Sequence, residues 1–128
     1  MIFVYIIVGI VVFLVFMQQM MIQRMKKMKG KNAPSLAGKA GKVIKEGKKA
    51  LFYFYSPSCG ACRSMTPVIG EMAKKNSRVF KVDISQDMET ARRFGVMATP
   101  TTILVEKGII KDLLIGPKPE SYLRSMLK

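Results

Sequence analysis

The sequence predicts an α/β fold: a three-layer sandwich with a central mixed sheet, preceded by one N-terminal transmembrane helix. Three observations carry this reading. The first 23 residues form an uncharged apolar run, short strand and helix patterns alternate after residue 35, and a hairpin signal closes the pattern. The expected parts are an anchor over 1–23, a basic juxtamembrane linker over 24–34 and an α/β domain over 35–128.

From Met1 to Met17 only Tyr5 and Gly9 interrupt a run of Ile, Val, Phe, Leu and Met. About 20 helical residues at 1.5 Å each cover the roughly 30 Å of bilayer hydrocarbon, and Met1–Ile22 fits that length. A cleaved signal peptide fits poorly, because no basic segment precedes the run and a dense cationic stretch follows it. A buried helix of a soluble protein fits less well still, since the run has no polar face.

The charge is unevenly placed. The chain has 22 Lys+Arg, 8 Asp+Glu and no histidine, for a net charge of +14. Residues 24–49 alone contribute +9, directly behind the apolar run. Arg24, Lys26, Lys27, Lys29 and Lys31 resist translocation. This flank is expected to stay cytoplasmic, with the N-terminus outside and the domain facing the cytosol; a dedicated export route would reverse that and place it in an extracytoplasmic space. The cations are nearly all Lys, without aromatic interleaving or a base-reading motif. Anionic lipid is therefore the expected partner of the basic segment, and nucleic acid is not. A hydrophobic content of 49% argues against disorder. Two cysteines are too few for a disulfide-stapled miniprotein, and zero histidine excludes triad and His-dependent zinc chemistry within the chain.

Gly30–Pro34 reads as the linker, because Gly and Pro break the helix leaving the membrane. Ser35 is placed to cap a short helix with Leu36, Ala40, Val43 and Ile44 on one face, ending at Gly47 and weakened by Gly38 and Gly41. Ala50–Tyr55 is an aromatic-rich buried strand. From Cys59 to about Lys75, Met65, Val68, Ile69, Met72 and Ala73 recur at helical spacing, and Pro67 should kink that helix. Arg78–Ile84 is a second strand. A helix opening at Ser85-Gln86-Asp87 runs through Met88, Ala91 and Phe94 to Gly95. Thr101–Glu106 and Ile109–Ile115 flank Lys107-Gly108, a hairpin turn. Pro119 suits the start of a last helix with Leu123, Met126 and Leu127 inward. The alternation implies parallel crossover units, and the final hairpin adds an antiparallel pair.

The only two cysteines stand at Cys59-Gly60-Ala61-Cys62, between a strand and a helix. Unpaired N–H groups and the dipole at a helix N-terminus stabilise a thiolate, lowering the cysteine pKa. Spacing of three places the second sulfur one turn away, within reach of a disulfide or a mixed disulfide. Cys59, at the exposed tip, is the expected nucleophile; Cys62, inside the first turn, is the expected resolving thiol. Alternatives are a zinc site completed by a second copy, which this chain alone cannot build, and an inert pair closing a very short loop.

Residues from about Ser35 to Lys128 resemble the thioredoxin family. Phe52 through Pro67 resembles its strand, CxxC and kinking proline. Phe94-Gly-Val-Met-Ala-Thr-Pro-Thr101 resembles the loop before its cis-proline, and Leu114-Ile-Gly116 its last strand and glycine. The resemblance implies a cis Pro100 beside Cys59, Thr99 presenting backbone groups to an extended substrate, and Gly116 permitting close substrate approach. Lys81 resembles a lysine beneath the family's active site; read by itself, it is a solvated charge at a strand end. The sequence departs from the pattern at Ser58, where the family carries Trp, and at Ala61, where it carries Pro. At Tyr53 it departs from a buried carboxylate that deprotonates the resolving cysteine. A neutral phenol is a poor base at pH 7, so Tyr53 is read either as a hydrogen-bond donor to a thiolate or as core packing.

The function expected is a membrane-anchored thiol–disulfide oxidoreductase that reduces protein disulfides through the Cys59/Cys62 dithiol. It needs a disulfide-containing protein substrate and an external thiol reductant, and no cofactor or metal. The alternatives are an outward-facing exchanger of the cytochrome-maturation type and a non-catalytic thioredoxin-fold binding module at the membrane.

Overall fold

The computed structural model describes residues 1–127; Lys128, the last residue of the expected 35–128 domain, lies outside the described residues. Its elements are α1 (Ile2–Lys26), α2 (Gly38–Lys45), β1 (Ala50–Tyr55), a 3₁₀ turn (Ala61–Arg63), α3 (Met65–Lys75), β2 (Val79–Asp83), α4 (Met88–Arg93), β3 (Thr101–Glu106), β4 (Ile109–Ile115) and α5 (Glu120–Met126).

The four strands lie in the order β2-β1-β3-β4. β1 pairs parallel with β2 and antiparallel with β3, which pairs antiparallel with β4. β1 is central and buried along nearly its whole length, the environment that selects a continuous apolar run over strict alternation. Its odd and even residues feed two separate cores. Phe52 and Phe54 join Val43 and Ile44 of α2, Ala91 of α4, Phe94 and Met25 of α1 on one face. Leu51 and Tyr53 join Met65, Ile69 and Met72 of α3 and Leu123 of α5 on the other. The mixed sheet thus has helices on both faces, the three layers expected. Phe94 meets Phe52 at 4.9 Å and Phe54 at 5.4 Å between centroids, edge and tilted contacts that add about 0.5–1.5 kcal/mol each beyond burial. The β3–β4 turn has Lys107 at φ 55° and Gly108 at φ 73°, the paired left-handed residues of a type I′ hairpin.

Several local expectations differ from the structure. Only β1-α3-β2 is a parallel crossover. After α4, residues 95–100 return the chain to the end of the sheet where β2 finished, so β3 starts there and runs antiparallel. Ser35 caps nothing: α2 begins at Gly38, whose φ of 71° turns the chain away, and the Ser35 carbonyl accepts from Arg93 Nη1 at 2.8 Å. Asp87 is the cap of α4, taking the Thr90 N–H at 3.1 Å. Ser85 instead bonds back to Asp83 Oδ1, and Met88 is exposed. The helix expected from Cys59 is split at Ser64 into the 3₁₀ turn and α3. Pro67 explains the split, since it has no N–H to offer the Arg63 carbonyl and its ring crowds that oxygen.

α1 is long and apolar enough to cross a membrane, and it continues through Arg24 and Lys26. Met17, Met21, Met25 and Met28 recur at helical spacing along one side of this region. Met25 is fully buried in the α2–α4 core, and Met28 packs against Gly95. The following residues, read above as a linker, are hydrogen-bonded to the start of β4. Gly30 N–H donates to the Ile110 carbonyl at 2.7 Å, Ile110 N–H to the Lys31 carbonyl at 2.9 Å, and Ala33 N–H to the Gly108 carbonyl at 2.8 Å.

Candidate active site

β1 delivers its C-terminal end to a tight loop, Ser56–Gly60, that precedes the 3₁₀ turn. In that loop Cys59 N–H donates to the Ser56 carbonyl at 3.0 Å. Cys59 and Cys62 are joined by a disulfide. Their exposures differ: Cys59 is partly open, whereas Cys62 is 1% exposed. Cys62 N–H donates to Cys59 Sγ at 3.2 Å. A hydrogen bond to the charged form lowers a pKa, so in the dithiol this N–H favours a thiolate on Cys59, the sulfur a partner can reach.

A cavity of about 240 Å³ opens beside the disulfide, lined by Tyr55, Cys59, Cys62, Arg63, Thr66 and Asp83 among others. Arg63 adds positive charge that also favours a thiolate. Asp83 is the only carboxylate in this lining. Sequence reading found no side-chain base here. The signal for Asp83 lay in register: it pairs with Tyr55, the last residue of β1, and so ends its strand at the same edge as the cysteine loop.

Tyr53 lies beneath the cysteine turn. Its hydroxyl is 3.3 Å from the Cys62 carbonyl and 3.1 Å from Thr66 Oγ1, which itself donates to that carbonyl at 2.8 Å. Its partners are thus a backbone oxygen and a threonine hydroxyl. Burial pushes the phenol above its ordinary value; the Thr66 hydrogen bond works against this and Tyr55 adds to it. Lys81 stays solvent-exposed on β2, its Nζ 6.0 Å from the Tyr55 ring centroid, and is not among the residues lining the cysteine cavity.

Thr99–Pro100 is a cis peptide. Thr101 Oγ1 holds the preceding loop by donating to the Ala98 carbonyl at 2.7 Å, and Gly116 N–H donates to the Pro100 carbonyl at 2.8 Å. Gly116 has φ 90°, a conformation glycine adopts freely. Phe54 of β1 pairs with Thr101 and Thr101 with Ile115, so this loop and Gly116 sit at the same end of the sheet as the disulfide.

Residues 39–128 match the thioredoxin family model. The chain belongs to the thioredoxin family. It is 35% identical over 89 residues to thioredoxin of Alicyclobacillus acidocaldarius, covering 67% of this chain and 85% of that one. It is 30% identical over 90 residues to chloroplastic thioredoxin M4 of Arabidopsis thaliana, spanning 68% of this chain but about half (47%) of that relative's length. The solved structure of a mutant thioredoxin from Halobacterium salinarum superposes with a TM-score of 0.59 at 26% identity, over 67% of this chain and 77% of that one. As a thioredoxin-family protein with a Cys59–Cys62 disulfide, the chain is a thiol–disulfide oxidoreductase. Its α1 lies outside the part that matches the thioredoxin model.

Proposed function

We propose that this thioredoxin-family chain is a membrane-anchored protein-disulfide reductase whose domain, 35–128, faces the cytosol from an anchor over 1–23. The observation that carries the reductase chemistry is the asymmetry of the pair: an accessible Cys59 sulfur receiving the Cys62 N–H, and a buried Cys62 behind it. The accumulation of Lys and Arg after the apolar run supports the orientation, and anionic headgroups are the expected company of that segment.

In the dithiol, the Cys59 thiolate attacks one sulfur of a substrate disulfide. A Cys59–substrate disulfide forms, and the other substrate sulfur leaves as a thiolate that takes up a proton. Cys62 then loses its proton and attacks Cys59 Sγ, closing the Cys59–Cys62 disulfide and releasing the second substrate thiol. Two electrons have passed to the substrate, and an external thiol reductant must return them. Thr99, Pro100 and Gly116 form the bank on which the substrate backbone lies next to Cys59. Asp83 receives the Cys62 proton through the cavity that both line, since the neutral Tyr53 phenol cannot. Lys81 acts only as surface charge.

The test is covalent trapping. Full-length Cys62→Ser should accumulate mixed disulfides that dithiothreitol releases, whereas Cys59→Ser should accumulate none. Absence of trapped adducts together with failure to reduce insulin would end the reductase reading. A reporter at the C-terminus, assayed on each side of the membrane, decides the orientation.

A further inference from the structure

The path of α1 across the domain sets where the redox site lies relative to the bilayer. β1 and β2 end, and β3 begins, at the edge that carries the cysteine loop and Pro100. The Lys107-Gly108 hairpin marks the opposite edge, and there Lys31 and Ala33 are bonded to β4 and its turn. Followed backwards from that point, the chain passes Met28 against Gly95 and Met25 within the core. It then reaches a groove in which Met17, Gln18, Met20, Met21 and Arg24 face Met97. Met97 is two residues from Thr99. α1 therefore leaves the domain at the redox edge, beside the cis-proline loop.

No spacer separates this edge from the apolar part of the helix. Every residue from Met1 to Gln19 is exposed, and Met20 is the first to be partly covered by the domain. Those residues make about 28 Å of helix, against roughly 30 Å of hydrocarbon. If the apolar run spans the bilayer, the groove with Met97 falls at the headgroup level. Met97 is 53% exposed, and Met88, at the start of α4 just past the end of β2, is 49% exposed. Both are apolar side chains at the edge that would meet lipid, and Arg24, in the same groove, offers a cation to headgroup phosphate.

We infer that the redox edge of the domain is seated on the bilayer surface, with Met97 in its interfacial region, so that this site serves disulfides held at the membrane surface by membrane-bound partners. The inference rests on reading α1 as an anchor and Cys59–Cys62 as a reductase pair, and it adds the substrate class.

The test uses the full chain in phospholipid vesicles containing anionic lipid. In a Cys59→Ser, Cys62→Ser background, a fluorophore is placed by Met97→Cys or by Lys107→Cys, and lipids spin-labelled at the headgroup serve as quencher. Quenching should be roughly threefold stronger at 97 than at 107, as expected for a side chain at the interface. Equal quenching, or stronger quenching at 107, overturns the proposal. With the cysteines intact, two lipid-tethered peptide disulfides are compared, one beside its tether and one beyond a rigid fifteen-proline spacer of about 45 Å. The near disulfide should be reduced about tenfold faster. Equal rates overturn the substrate class. A small soluble disulfide in detergent is the separate control: failure to reduce it sinks the reductase reading, while the quenching comparison still decides where the domain sits.

Discussion

The Tyr53 hydroxyl points at the backbone carbonyl of Cys62, 3.3 Å away, and shares that carbonyl with Thr66. A phenol so placed braces the cysteine turn and leaves the sulfur chemistry to other groups. Tyr53→Phe keeps the ring in its core and leaves Thr66 on the carbonyl. It should cost about 1 kcal/mol of stability and change disulfide turnover by less than about twofold. The pH dependence has a definite sign. The folded phenol titrates above its unfolded value near 10, so its contribution is full below that pH and is lost as pH rises through the folded value. Urea midpoints should fall more steeply above pH 10 for the parent than for Tyr53→Phe; parallel curves would remove this account.

Asp83 is expected to matter to the second half of the reaction only. Asp83→Asn retains an oxygen for Ser85, whose N–H and hydroxyl both donate to Oδ1. It also removes the only carboxylate in the cysteine cavity. The decay of a preformed Cys59–substrate disulfide should slow roughly a hundredfold, the low end of what a positioned base contributes. Attack by Cys59 should be unaffected. Stopped-flow measurement of the two phases separates these; equal slowing of both would point to a structural effect.

Gly95 tests the docking of α1. It has φ 72°, and a Cβ there would stand 2.9 Å from Met28 Cγ. Gly95→Ala should destabilise by about 1–2 kcal/mol from backbone conformation alone, with a further loss from displacing Met28. Adding Met28→Ala should recover only that further part. Thermal unfolding of the four chains in detergent measures both contributions.

The cap of α4 makes a smaller, pH-dependent contribution. Asp87 takes hydrogen bonds from the Thr90 hydroxyl and N–H, which hold its carboxyl below the usual carboxylate range. This stabilisation is present above the unfolded value near 4 and is lost as pH falls through the folded one. Asp87→Ala should cost about 1 kcal/mol at pH 7, and the gap to the parent should close in acid.

What the sequence disclosed followed from how redundantly each feature was written. β1 was readable to the residue because burial on both faces demands an unbroken apolar run, and the hairpin because Lys107-Gly108 fits few other turns. Cys59, Cys62 and the cis Thr99–Pro100 came from motifs in a fixed order. Asp83 was hidden because its place depends on strand register, which no local pattern reveals. The start of α2 was misplaced because a left-handed Gly38 overrode the capping preference of Ser35. Met25 was overlooked because a lone apolar residue among lysines looks solvated. Its spacing from Met17, Met21 and Met28 was the available clue.

The bonds from Gly30, Lys31 and Ala33 to β4 and its turn bear on contact between copies as well as on the path of the chain after α1. An unpaired strand edge is a template for another copy's backbone, and molecules confined to a plane meet far more often than molecules free in three dimensions. By occupying the first rungs of β4, residues 30–33 shield the hairpin end of that edge strand, which on the anchored reading proposed above leaves a neighbouring copy less open edge to pair with.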